Sequence, residues 1–383
     1  MILFVGQRGV GGMKSQLPTA KSQLPPRRRP GKVLILGLIA VLPVNADDGP
    51  VRLGGPNAKQ PQAAVGPDGR AYVVWAEEDA VRLAAAPKVG EAFGEPVTVG
   101  EVGRLMSGMR RGPRVAANGK TVVVTAIGMR TGNLVAWRSE DGGKVWTGPA
   151  TVNGKPEAAR EGLQDLAADR RGRFCAVWLD LREPGTQIWG ARSEDEGRTW
   201  SERRIYRSPS GTVCECCPPS LAASGNPWVL FRNDVDGNRD MYLTPDPWER
   251  GEGAGLPRRL GAESWKLGSC PMAGGAVTEA SAGRPTAVWH RDGVLYLTPG
   301  TGGEQRLGRG FAAAIAAGPG GAFVVWHQEK NGGGVRLLRP GGKPERLAED
   351  GAWPVVAGDP KAGVIAAWEE GGAIRVQALT QSR

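Results

Sequence analysis

"GRAYVVW", Gly69 to Trp75, is a Gly turn followed by an apolar run that closes on Trp, and the chain repeats this pattern six more times. The other copies are "GKTVVVT" (ending Thr125), "GRFCAVW" (Trp178), "GNPWVLF" (Phe231), "RPTAVW" (Trp289), "GAFVVW" (Trp326) and "GVIAAW" (Trp368). Their spacings are 50, 53, 53, 58, 37 and 42 residues, the range of a structural repeat. A second short apolar segment precedes each copy, such as "PQAAVG", "PRVAAN", "LQDLAAD" or "PVVAGD", and each such pair reads as a β-hairpin. Two further strand-like pieces follow, for example "NLVAWRS" and "GPATVN", or "QIWGARS" and "ERRIYRS". Four short strands per unit at this period is the signature of a propeller blade.

The last unit lacks its fourth strand, because after "AIRVQAL" the sequence ends at Arg383. The matching piece stands near the other end, where "PVRLGG" (Pro50 to Gly55) resembles the fourth strands "RRLGA" (Arg258 to Ala262), "QRLGR" (Gln305 to Arg309) and "ERLAE" (Glu345 to Glu349). An N-terminal strand that completes the last blade closes the ring and removes the sheet edges. The predicted fold is therefore all-β, a seven-bladed propeller of four-stranded antiparallel blades, with a six-bladed ring and a two-sheet sandwich as alternatives. The runs are apolar rather than alternating, as expected for sheets covered on both faces.

Residues 1–46 read as a cleaved export signal. Arg27, Arg28, Arg29 and Lys32 form a basic start, Val33 to Pro43 an apolar run, and Val44-Asn45-Ala46 a cleavage site. Eleven apolar residues fall short of the ~20 of a membrane-spanning helix. The segment holds seven Lys and Arg and no acid, so its removal takes the formal net charge from +10 to +3 and leaves 337 residues. Nucleic-acid binding thereby loses its electrostatic support. The remainder is expected to be one propeller domain, periplasmic or secreted, monomeric and without a membrane span.

Two octapeptides share one spacing: "SEDGGKVW" (Ser139 to Trp146) and "SEDEGRTW" (Ser193 to Trp200). Both fall in the turn between the third and fourth strands. There an Asp side chain caps turn amides, a Gly takes positive φ and a Trp wedges between sheets. Ser193, Asp195, Gly197, Thr199 and Trp200 match the Asp-box, or BNR, repeat in full. Ser139, Asp141, Gly143 and Trp146 match it with Val145 in place of Thr. On these turns the chain resembles the sialidase (neuraminidase) superfamily. That resemblance implies a propeller in which these turns are structural, on the rim away from the substrate. The catalytic pattern of sialidases does not carry over, since no Arg-Ile-Pro stretch is present and Tyr72, Tyr206, Tyr242 and Tyr296 all fall within strands.

Function in propellers gathers on the other face, in the loops after the second strand and before the first. There "LDLREPG", "RNDVDGNRD", "HRDG" and "HQEKNGG" supply charge, opposite "SGMRRGP", "EAAREG", "GTVCECCPP" and "SWKLGSCP". Arg182, Arg232, Trp265, His290, His327 and Trp353 are the candidate ligand contacts. Asp180, Glu183, Asp234 and Asp292 are the candidate acids and bases of a glycosidase, which needs two carboxyls ~5–5.5 Å or ~6.5–9.5 Å apart. Cys217-Pro218 and Cys270-Pro271 occupy matching positions on adjacent blades, so a Cys217–Cys270 disulfide is preferred in an exported chain, with Cys214–Cys216 or no second bridge left open. Cys175 reads as an inert buried thiol. The Cys-x-Cys-Cys-Pro segment with the later Cys-Pro resembles exported bacterial BNR-type proteins of undefined activity.

These observations point to a binding or scaffold module for a polar or glycan ligand, or for an extracytoplasmic protein, with no cofactor. One alternative is a glycoside hydrolase. Another is a metal or redox centre in which Cys214, Cys216, Cys217, Cys270, His290 and His327 hold Cu or Zn.

Overall fold

A computed structural model describes residues 49–245, 247–248, 256–281, 283–300 and 302–379. The export signal expected over residues 1–46 lies outside the described residues. The strands form seven four-stranded antiparallel sheets. Their innermost strands neighbour one another around a closed circuit, the last beside the first, which makes a seven-bladed β-propeller. The described residues contain no helix long and apolar enough to cross a membrane.

The seven repeated runs are the second strands of the blades, from Ala71–Glu77 in blade 1 to Gly363–Glu370 in blade 7. Every residue of Phe174–Asp180 in blade 3 is buried, as are the first six of Ala71–Glu77, because each sheet is packed on both faces. Their closing Trp side chains fill the spaces between blades. Trp75 packs against Ile365 and Ile374 of blade 7, and Trp368 against Val335 and Leu337 of blade 6. Val51–Leu53 completes blade 7 by pairing antiparallel with the strand Ala373–Ala378, in the register Val51↔Val376 and Leu53↔Ile374. The ring is thus closed by the first strand, as expected, and the count is seven rather than six.

Blade 4 departs from the expected size. Its innermost strand, Ser220–Ala222, has three residues and its outer strand, Arg258–Arg259, has two, so "RRLGA" contributes little pairing. All four tyrosines lie in strands.

Antiparallel strands alternate in direction, so the second-to-third-strand loops and the lead-ins to each first strand share one face, here the upper. The two octapeptide turns lie at the lower face. In the second of them Asp195 accepts hydrogen bonds from Thr199 N (2.8 Å), Thr199 Oγ1 (2.7 Å) and Ser193 Oγ (2.8 Å). In the first, Asp141 accepts from Lys144 N, Val145 N and Ser139 Oγ, and Trp146 Nε1 donates to Gly143 O. Gly197 has φ 86°, and a Cβ there would stand 2.7 Å from Val123 Cγ2.

Candidate functional site at the upper mouth of the channel

The position after the closing residue of each second strand divides the ring in two. It holds Ala76, Ala126 and Leu179 in blades 1–3, but Arg232, His290, His327 and Glu369 in blades 4–7. Each of these four meets the lead-in of the next blade. The Arg232 guanidinium donates to Ala273 O (2.9 Å), Arg239 O (2.5 Å) and His290 O (2.6 Å). Glu369 accepts from the backbone and side-chain nitrogens of Gln60 at 2.6 and 3.1 Å. The innermost strands of blades 1, 6 and 7 begin with a bulge at this level, where Gln60, Ala312 and Trp353 take φ near 50°.

Between them the two histidines join an aromatic arc. Trp265, His290, Phe311, His327 and Trp353 follow one another with ring centroids 5.8, 5.2, 6.4 and 5.5 Å apart. Four of these five were separate candidates in the sequence, and Phe311 is the link that sequence reasoning missed. His290 is 5% exposed and His327 0%. Both ring nitrogens of His290 and Nε2 of His327 are buried without a hydrogen-bond partner among the described residues, while His327 Nδ1 meets Glu329 O. Burial, with the Arg232 charge behind it, pushes His290 down to about 4. Burial, opposed by the Glu329 carbonyl and aided by Arg110, does the same to His327.

Beside Arg232 the lead-ins of blades 4 and 5 bring four sulfurs together. The Sγ atoms of Cys214, Cys216, Cys217 and Cys270 all lie within 4.8 Å of one another. Cys214 Sγ is 3.4 Å from Cys217 Sγ and 3.7 Å from Cys270 Sγ. The disulfide in the structure is Cys216–Cys270, with Cα atoms 6.4 Å apart, and not the preferred Cys217–Cys270. The reason is local: a turn at Glu215–Cys216 carries Cys216 outward, half-buried, toward Cys270, while Cys217 is buried and donates to Ala273 O at 3.3 Å. Cys214 and Cys217 are thiols, so Cys214–Cys216 is not formed. Cys217, then Arg239 at 3.2 Å, draw the Cys214 thiol down to about 7 against its burial. Burial and Cys214 push Cys217 well up. No histidine nitrogen belongs to the cluster, so the six-ligand set reduces to the four sulfurs. Cys175 stands apart and buried, its thiol pushed up to about 12 by desolvation.

Inside the ring, a cavity of ≈160 Å³ opens at the upper end of the channel. Gln62, Arg110, Arg114, Gln164, Asp165 and Ser220 supply its polar lining. Arg114 donates to Gly112 O, Pro113 O and Arg110 O and lies 3.8 Å from Asp165. The Arg110 guanidinium has one hydrogen-bond partner among the described residues, Ala313 O at 3.3 Å. Burial, then Arg114, lowers Arg110 to about 10, while burial raises Asp165. None of these residues was singled out in the sequence. The two arginines of "SGMRRGP", Arg110 and Arg111, with the neighbouring Arg114 were the available signal.

The candidate acids and bases do not share this cavity. Asp180 is buried and accepts from Trp178 Nε1 and from the Arg182 backbone and guanidinium, all at 2.7–2.9 Å. Arg182 also pairs with Glu202 and lies 3.4 Å over the Trp189 ring, a structural tie. Glu183 accepts from Gln187 and faces Arg204 and Arg207. Asp234 pairs with Arg239 at 3.0 Å, and Asp292 sits exposed in the hairpin turn of blade 5 with φ 47°.

No protein-family model matches this sequence, and no curated protein matches it either. Among solved structures it is similar in fold to a catalytically inactive virginiamycin B lyase from Staphylococcus aureus with quinupristin, at 13% identity and a TM-score of 0.49 over 86% of this chain and 98% of that one. It is also similar to a Hadza microbial sialidase (12%, 0.46, 85% and 66%) and to the six-bladed fungal lectin of Aleuria aurantia (11%, 0.47, 87% and 95%). The fold and the blade count rest on the strand pairing of this chain.

Proposed function

We propose that the protein is an exported propeller of the Asp-box kind that binds a small anionic ligand, such as an acidic sugar, at the upper mouth of its channel. The observation that carries this reading is the polar cavity with two guanidiniums, Arg110 and Arg114, against one carboxylate, Asp165. Arg110 supports it further, since its donors are only partly used by the protein. At ≈160 Å³ the cavity is smaller than the roughly 300–1,000 Å³ of most ligand pockets, so it suits one acidic group with the rest of the ligand above it. The basic and apolar pattern of residues 27–46 supports export. The tyrosines argue against sialidase chemistry: all four are strand residues, and burial raises Tyr72 to about 12.

Calorimetric titration with glucuronate and N-acetylneuraminate, beside glucose and N-acetylglucosamine, tests the reading. Acidic sugars are expected to bind in preference to neutral ones. Arg110→Ala should weaken that binding about 10- to 100-fold, the worth of one charged hydrogen bond of about 1.5–3 kcal/mol. Equal binding of acidic and neutral sugars, or an Arg110→Ala variant that binds as the parent does, would refute it.

A further inference from the structure

We propose that Cys214, Cys216, Cys217 and Cys270 are the ligand set of one thiophilic closed-shell cation, Zn(II) or Cu(I), held between blades 4 and 5. This goes beyond the anion reading and does not rest on it.

Geometry comes first. Four thiolates around a tetrahedral ion at ~2.3 Å stand about 3.8 Å from one another. The Cys214–Cys217 and Cys214–Cys270 separations are 3.4 and 3.7 Å, and all four sulfurs lie within 4.8 Å. Cys214 already stands at about the right distance from Cys217 and Cys270, whereas the bonded Cys216 and Cys270 sulfurs must part to about 3.8 Å once the bridge is reduced. Sulfur without oxygen or imidazole in the cluster selects a soft or borderline metal.

Charge is offset locally in part. Four thiolates and one Zn(II) carry −2, which is costly to bury unless compensated. Arg239 Nη1 reaches Cys214 Sγ at 3.2 Å, and Arg232 Nε donates to Ala273 O, the same carbonyl that Cys217 meets. Two guanidiniums thus flank the cluster, Arg239 being shared with Asp234 at 3.0 Å and Glu215 at 3.4 Å.

The position also answers a weakness of the fold. Blade 4 has the shortest innermost and outer strands of the ring, and between its outer strand and Gly275 the chain forms no strand. A cation bound by Cys214, Cys216 and Cys217 from one lead-in and by Cys270 from the next fixes both segments.

The Cys216–Cys270 bridge and the metal are exclusive occupants of the same sulfurs. Converting one state to the other requires a dithiol reductant, which supplies two electrons and two protons to the bridge and leaves as its own disulfide. The four thiols then release four protons as they bind the cation. Loading therefore belongs to the reduced chain, before the bridge forms or after it is opened.

The full chain, purified without chelator under anaerobic reducing conditions, should be titrated with Zn(II) and, separately, with acetonitrile-stabilised Cu(I). Metal content, thiol alkylation and thermal melting are the readouts. One equivalent of either ion, with the four thiols shielded and the melting temperature raised, is the expected result, and the arm that binds identifies the ion. Co(II) added to the reduced parent should show tetrahedral thiolate bands, a readout that needs no variant to fold. Cys216→Ser with Cys270→Ser should abolish stoichiometric binding, Cys175→Ser should retain it, and Arg239→Ala should weaken it roughly 10-fold. A reduced, folded parent that takes up no equivalent of either ion and gives no Co(II)-thiolate bands overturns the proposal, as does metal retained by the double serine variant. Arg110→Ala, which tests the anion site, should leave metal uptake unchanged, so the two readings fail separately.

Discussion

Lowering the pH from 7 to 5 should destabilise this protein through two histidines far more than their number suggests. An unfolded histidine titrates near 6.5, whereas His290 and His327 are held to about 4 by burial. Between those values the unfolded chain binds the protons and the folded chain does not, so stability falls as pH falls through 6.5 and the loss saturates below about 4. Integrating from pH 7 to 5 gives about 2 kcal/mol for each ring, roughly 4 kcal/mol for the pair. Buried Asp165 and Glu369, both raised, take up protons first in the folded state and oppose this loss, so the difference between parent and variant is the informative quantity. Urea unfolding of the parent, His290→Phe and His327→Phe at pH 7 and pH 5 measures it. Each variant should lose about 2 kcal/mol less than the parent on acidification. Phe is apolar and of similar shape, and it stands beside Phe311 or Trp353 in a site where the replaced nitrogens have no partner, apart from His327 Nδ1 at Glu329 O. Identical pH slopes in parent and variants would refute the argument that these imidazoles are forced to stay neutral.

Two further perturbations probe the scaffold. Val145→Thr should stabilise the lower turn of blade 2 by about 0.5–1 kcal/mol, because Val145 is 67% exposed and its Thr199 counterpart donates to Asp195 at 2.7 Å. The gain, read by scanning calorimetry, should vanish in an Asp141→Ala background. Leu53→Ala should cost about 2–3 kcal/mol, since Leu53 is buried in the closing strand opposite Ile374. Deleting residues 50–55 should expose the edge of Ala373–Ala378 and produce self-association by light scattering; a deletion variant that stays monomeric and as stable as the parent would contradict closure by this strand.

The fold was legible because its main signal is redundant. A run such as "GRFCAVW" must be apolar throughout, since Phe174–Asp180 is covered by two neighbouring sheets, and seven such runs at one period admit few architectures. The match of "PVRLGG" to the fourth strands located the closure for the same reason. What failed depended on local rotation rather than on pattern. Aligning Cys217-Pro218 with Cys270-Pro271 placed the right loops together but chose the wrong sulfur, because the turn at Glu215–Cys216 reorients the chain within two residues. Arg110 and Arg114 were passed over because a ring site is assembled from several lead-ins, and one arginine-bearing loop does not announce a shared cavity.

The division of the ring at one aligned position was present in the sequence and becomes meaningful only with the bulges in view. Blades 1–3 place Ala76, Ala126 and Leu179 where blades 4–7 place Arg232, His290, His327 and Glu369. A buried polar group costs about 1–3 kcal/mol when unpaired, so a scaffold selected for packing alone has no use for the second set. Arg232 offsets its burial with three carbonyl bonds and Glu369 with Gln60, but among the described residues His290 has no partner for either nitrogen. That cost is concentrated on one arc of the upper face, where sequence rules yield to something other than packing. Arg232 ties this arc to the sulfur cluster, since one guanidinium grips both His290 O and the Ala273 carbonyl that Cys217 meets. The arc and the cluster therefore share one buried guanidinium, whose Nε and Nη2 serve the two carbonyls separately.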